Sequence, residues 1–118
     1  MAEDLPLLKG TLDLLILKAL SIEPTHGYGL SLWVEGESGG RISVEDSAIY
    51  QALRRLEGRR FVEAEWGVTQ NNRRARYYRL TSMGERHLRA EAATWLRYTT
   101  LVTTLLGVGG GVPLPKEP

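Results

Sequence analysis

Leu8, Leu12, Leu15, Ile16, Ala19 and Leu20 recur at helical spacing and predict a first helix over residues 8–20. Leu14 and Leu17 fall off that stripe, so the helix is apolar nearly all round. Such a helix needs cover on two sides. In a chain this short the second side is expected to meet another subunit. Pro24 marks a turn over residues 21–25, and a second helix is expected over residues 28–37, with Leu30, Trp33 and Val34 inward and Ser38-Gly39-Gly40 ending it. Ser43-Val44-Glu45-Asp46 fits the capping-box pattern, with Asp in place of Glu. The third helix it opens runs to about Gly58 on a core stripe of Ile49, Ala52, Leu53 and Leu56.

The hydrophobic period then shortens to two. Residues 61–66 alternate as a strand, residues 67–74 form a polar loop holding Asn71-Asn72, and residues 75–80 make a second strand. Together they predict a β-hairpin with a basic tip. Three helices followed by a two-stranded hairpin is the order of a winged helix-turn-helix. Thr81-Ser82-Met83-Gly84-Glu85 opens the last helix, expected to reach Leu106, with Glu85 near its positive end. Leu88, Ala92, Trp95, Thr99, Val102 and Leu106 alternate in steps of four and three residues, the a/d seam of a coiled coil. Little monomer surface remains for a long helix placed after the hairpin, so it is expected to dimerise. The fold expected is mainly α with a small β-hairpin. Residues 1–81 form a winged helix-turn-helix DNA-binding domain, residues 82–106 a dimerisation helix, and residues 107–118 a Gly- and Pro-rich tail expected to be disordered.

Composition narrows the function classes. The chain has 118 residues, one domain's worth, with 42% hydrophobic and 25% charged residues, the balance of an ordinary globular protein. It has no cysteine, which excludes a disulfide framework, a thiolate metal site and a cysteine nucleophile, and leaves a reducing, cytoplasmic setting as the default. The acidic start Met1-Ala2-Glu3-Asp4 does not resemble a signal peptide. No uncharged apolar run approaches the ~20 residues that span a bilayer, so no membrane partner is expected. The formal net charge of +1 hides a skew: residues 54–79 hold eight Arg against three Glu, inside a remainder that is net acidic. A basic segment of this kind is the footprint of a polyanion site.

The third helix carries the most specific candidate chemistry. Opposite its core stripe stand Ser47, Gln51, Arg54 and Arg55, with Tyr50 at the margin. Gln and Arg make bidentate hydrogen bonds to base edges, and Arg and Tyr also reach phosphates, so this face suits a major groove. Arg73, Arg74 and Arg76 near the hairpin tip suit phosphates. Trp33 is expected in the core of the second helix, and Trp66 as a packing residue of the strand or the wing base. His26 and His87 lack ligand spacing, so no metal site is expected. Gly107-Val108-Gly109-Gly110-Gly111 lacks the strand before it and the Lys after it that a phosphate cradle needs. No nucleophilic triad stands out. No enzyme activity and no cofactor are expected.

The stretch from Leu7 to Gly84 resembles the PadR family of bacterial transcriptional regulators. The resemblance is carried by Leu8-Lys9-Gly10-Thr11-Leu12-Asp13-Leu14-Leu15-Ile16-Leu17, His26-Gly27-Tyr28-Gly29, Ile49-Tyr50-Gln51-Ala52-Leu53-Arg54-Arg55-Leu56-Glu57 and Tyr77-Tyr78-Arg79-Leu80-Thr81-Ser82-Met83-Gly84. Ala64-Glu65-Trp66-Gly67 with Asn71-Asn72-Arg73-Arg74-Ala75 is similar to a subgroup common in acidobacteria. The resemblance implies a winged helix with an added C-terminal helix, working as a homodimer on double-stranded DNA with an inverted repeat. It places Tyr50, Gln51 and Arg54 at the major groove, and the wing arginines, with Lys9 and Thr11, near the backbone. It implies a dimer interface that can hold a small aromatic effector. Leu8 and Leu12 of the first helix join the C-terminal seam there, and Trp95 stands where an aromatic side chain can line a pocket. Three departures from the family pattern stand out: Ser47-Ala48 shifts a hydroxyl by one position, Gln51 replaces a common Pro, and Arg60 stands where Gly usually ends the third helix. A left-handed Arg60 would cost roughly 1 kcal/mol, unless the helix ends earlier.

The function expected is that of a dimeric, sequence-specific transcriptional regulator, a repressor released by an effector. A winged-helix protein-interaction module without sequence-specific DNA binding is the alternative. Titrating a random duplex at low and high salt separates the two.

Overall fold

The computed structural model describes residues 5–8 and 10–107. Among them are four helices, α1 (Thr11–Ile22), α2 (Gly27–Glu37), α3 (Asp46–Gly58) and α4 (Ser82–Leu106). Three strands, β1 (Thr25–His26), β2 (Val62–Val68) and β3 (Arg74–Leu80), form an antiparallel sheet in the order β1-β3-β2. This is the winged helix-turn-helix with an added C-terminal helix. The chain divides into two compact units, one before Arg89 and one from Arg89 onward. No helix of the described residues is long and apolar enough to cross a membrane.

The core of the first unit follows the hydrophobic pattern. Ile49, Ala52, Leu53 and Leu56 on α3 are almost completely buried, together with Ile16, Leu17, Ala19 and Leu20 of α1, Leu30 of α2 and Phe61, Val62 and Tyr78 near or in the sheet. Trp33 packs against this cluster as expected. Leu88 also belongs to it. The first step of the proposed dimer seam is therefore taken up by the monomer's own core.

Several local expectations are corrected. α1 starts at Thr11 rather than Leu8, because Gly10 takes a left-handed φ of 89° and the Leu8 carbonyl accepts from the backbone N–H and the hydroxyl of Thr11. No capping box forms at α3: Glu45 is the N-cap and makes no side-chain cap bond. Val44 instead packs against the core. His26 caps α2, its Nδ1 accepting from the Gly29 N–H at 3.1 Å. The sheet has a third strand, since residues expected in a turn pair as Thr25 with Tyr78 and His26 with Tyr77. Two residues are too few to show an alternation, so only the partner strand reveals them. The strands also run further into the expected loop, to Val68 and from Arg74. The expected tail beyond Gly107 lies outside the described residues.

The end of α3 is left-handed at Arg60, without a glycine there. Arg60 has φ 66°, its N–H bonds the Glu57 carbonyl, and the Phe61 N–H bonds the Leu56 carbonyl. These two bonds form a Schellman motif, with buried Phe61 and Leu56 making the accompanying apolar pair. An arginine in this conformation carries a steric cost that glycine lacks. Arg60→Gly is therefore expected to stabilise the fold by up to about 1 kcal/mol, seen as a raised urea midpoint at unchanged slope. A lowered midpoint would contradict it.

Candidate nucleic-acid interface

Because the four core positions of α3 are fixed inward, Ser47, Tyr50, Gln51 and Arg54 are turned out, and all four are exposed. Tyr50 stands at the margin, as expected, and is 49% exposed. Its ring lies over the first residue of α2: a Cβ on Gly27 would come within 2.9 Å of the ring and hydroxyl. The absent side chain at Gly27 is what lets Tyr50 lie there. Among the described residues Arg54 has no ion-pair partner. Arg55 is different. Its Nη2 and Nε donate to Asp13 at 2.6 and 3.3 Å, a bidentate clasp between α3 and α1. That hydrogen bond is the main reason its pKa is raised. The carboxylate that meets it belongs to α1, far away in sequence.

The wing sorts its arginines by sheet face. Register pairs Trp66 with Arg76 and Val68 with Arg74. The strand period places these four on the face that carries Val62 and Tyr78 into the core. Glu63, Glu65, Gly67, Tyr77 and Arg79 lie on the other face, where Arg79 bridges Glu63 at 2.9 Å and Glu65 at 3.1 Å. These bonds, that to Glu63 first, raise the Arg79 pKa. Arg76 forms a bidentate pair with Glu57 of α3 at 3.0 and 3.3 Å, tying the wing to the end of that helix. The Arg74 guanidinium sits 4.6 Å from the Trp66 ring centre. Trp66 lies in β2 as one expectation had it, but it is 60% exposed rather than packed. Arg73 is exposed and, among the described residues, has no ion-pair partner. Of the arginines expected at DNA, and Arg79 beside them, Arg55, Arg76 and Arg79 are ion-paired, while Arg54, Arg73 and Arg74 have no ion-pair partner among the described residues.

Of the other expected contact residues, Thr11 uses its hydroxyl on the Leu8 carbonyl, and Lys9 lies outside the described residues. Leu8 is exposed and Leu12 packs against the core. On α4, Ala92, Trp95, Thr99 and Val102 are half-buried, while Leu106 is exposed. The Thr99 hydroxyl donates to the Trp95 carbonyl at 2.9 Å. Leu96, Tyr98, Leu101 and Leu105 are exposed too, so the apolar surface of this helix is wider than the expected seam. A shallow groove of about 420 Å³ on it is lined by Leu96, Arg97, Thr100, Leu101 and Thr104, not by Trp95.

The fold that sets α3 beside the wing is found in known relatives. The sequence model of the Transcriptional regulator PadR-like family matches residues 16–90. The chain belongs to the PadR-like family of transcriptional regulators. Among solved structures, a PadR family transcriptional regulator from Eggerthella lenta is 33% identical, with a TM-score of 0.73 over 86% of each chain. A PadR-like regulator from Bacillus cereus is 27% identical, with a TM-score of 0.72 over 86% of this chain and 96% of that one. Bacillus subtilis PadR, solved in complex with operator DNA, is 20% identical with a TM-score of 0.61, over 92% of this chain and 53% of that one. This last likeness is one of fold. For this PadR-like chain, membership accounts for the order of elements.

Proposed function

We propose that this PadR-like regulator is a homodimeric repressor that binds an inverted repeat in double-stranded DNA through α3 and the wing. The observation that carries the proposal is the outward face of α3, where Ser47, Gln51 and Arg54 are exposed next to a wing whose Arg73 and Arg74 have no ion-pair partner among the described residues. That operator DNA is the partner of Bacillus subtilis PadR supports this choice of ligand. Gln51 and Arg54 read base edges, Tyr50 and Arg73 meet phosphates, and Ser47 approaches the groove at the start of the helix. Arg55 and Arg76 act mainly as struts, since each is held by a carboxylate on another element. Lys9 and Thr11 lie near the backbone by resemblance.

The exposed apolar residues of α4, Leu96, Tyr98, Leu101, Leu105 and Leu106, supply the surface for a second copy. Dimerisation sets the two recognition helices about one helical turn of DNA apart. A planar aromatic effector held beside Trp95 would act by changing that separation.

Genomic DNA selection with the purified protein tests the proposal, with enrichment of an inverted repeat as the expected result. Failure to bind any duplex, specific or random, at low salt would overturn it. Arg73→Ala is expected to weaken binding to specific and random duplexes alike and to lower the salt slope by about 1. Unequal losses on the two duplexes would show that Arg73 does more than meet a phosphate.

A further inference from the structure

We infer that Trp66 is a DNA-contacting residue: with Arg74 and Val68 it forms a wedge that enters the minor groove beside each half-site and favours A·T pairs there. This assignment rests on the DNA-binding role proposed above and adds a contact, and a sequence preference, that the recognition helix does not supply.

The argument starts from exposure. Trp66 and Val68 are 60% and 61% exposed, on the sheet face that carries Arg74 and Arg76. A wing that met phosphates alone would need cations and polar groups, because phosphate oxygens take nothing from an indole. This wing alternates cations with large apolar groups. The walls of the minor groove are deoxyribose rings, apolar enough to pack against an indole and a valine, and its floor is strongly negative where A·T pairs narrow it. The ligand that complements both halves of the surface is that groove.

The state of Arg74 points the same way. Its guanidinium lies on the indole at 4.6 Å and, among the described residues, pairs with no carboxylate. A stacked arginine keeps its charge and its hydrogen-bond donors while losing few conformations on binding. Its neighbour Arg76 is withdrawn from the ligand by Glu57. That pair also ties the wing to α3, so the wedge stands at a fixed reach from the helix that reads the major groove. Gly67 completes the platform from the opposite face. A Cβ there would lie 2.8 Å from the Tyr77 ring, so the ring lies directly on the strand backbone behind Trp66 and stiffens it.

The test uses the full-length protein and the repeat found by selection, with the pairs flanking each half-site made all A·T or all G·C. The wild type is expected to prefer A·T flanks about tenfold. Trp66→Ala should reduce that preference below twofold while leaving discrimination within the repeat unchanged, and Trp66→Phe should restore part of it. In a variant carrying Trp33→Phe and Trp95→Phe, the remaining Trp66 emission should become protected from acrylamide on binding DNA. Retention of the flank preference by Trp66→Ala, or an indole still open to quencher in the complex, would overturn the assignment while leaving repeat binding intact. Absence of binding to every duplex would overturn both the assignment and the role it rests on. Because Trp66 is mostly exposed, Trp66→Ala should keep the wild-type melting temperature. A variant that unfolds would itself contradict a surface contact role.

Discussion

Gly84→Ala is expected to destabilise the protein by about 3 kcal/mol, the largest loss from adding one methyl group anywhere in the described chain. Gly84 is buried in the first turn of α4. A Cβ there would overlap the Phe61 carbonyl oxygen and approach the Phe61 carbonyl carbon and Leu80 Cδ1 at 2.9 Å. The oxygen is backbone and cannot turn aside. It also accepts the Thr81 N–H at 3.0 Å, so moving it breaks a second contact. Thr81 locks the same corner, its hydroxyl donating to the Arg60 carbonyl at 2.7 Å and accepting from the Gly84 N–H at 3.0 Å. The latter is an N-cap bond of the ordinary kind. The end of α3, the end of β3 and the start of α4 are therefore joined at one point where only glycine fits. Thermal unfolding at fixed protein concentration should show a drop of more than ten degrees. Gly36→Ala serves as the control. That helical glycine has nothing within 4 Å of a new Cβ, and its replacement should raise stability by up to about 1 kcal/mol. Equal effects at the two positions would show that helix propensity, rather than close packing, governs Gly84.

The second large effect concerns recognition. Gln51→Ala should relax base choice at one position of each half-site, at a cost of about 1–3 kcal/mol per half-site on the selected repeat and little on random DNA. The proposed dimer presents the residue twice, so the free-energy cost on the full repeat should approach twice that on a half-site. The structure makes this a clean experiment. Gln51 is exposed, so its truncation should leave the melting temperature within about 2–4 °C of the wild type. Competition binding with single-base variants of the repeat reads the outcome. An equal loss on specific and random duplexes would remove Gln51 from the reading face and leave it as a backbone contact.

The repeating pattern of apolar residues was enough to place the three helices of the winged domain, the hairpin and the long last helix. Burial of one face is a local demand: Ile49, Ala52, Leu53 and Leu56 must turn inward together, so the outward set containing Ser47, Gln51 and Arg54 followed without coordinates. The strained end of α3 was legible too, because Arg60 occupies a position where a glycine was anticipated and the backbone there is left-handed. Pairings between distant residues were not legible. Arg55 meets Asp13 across 42 positions and Arg76 meets Glu57 across 19, and nothing in the local sequence says which carboxylate a guanidinium will find. For the same reason β1 was invisible, since two residues become a strand only when Tyr77 and Tyr78 lie beside them. Leu88 shows the limit most plainly. Its helical phase was right for a seam between subunits, yet the corner built by Gly84 brings it into the monomer's own core. Periodicity reports that a side chain must be covered. What covers it is decided by the path of the chain in three dimensions.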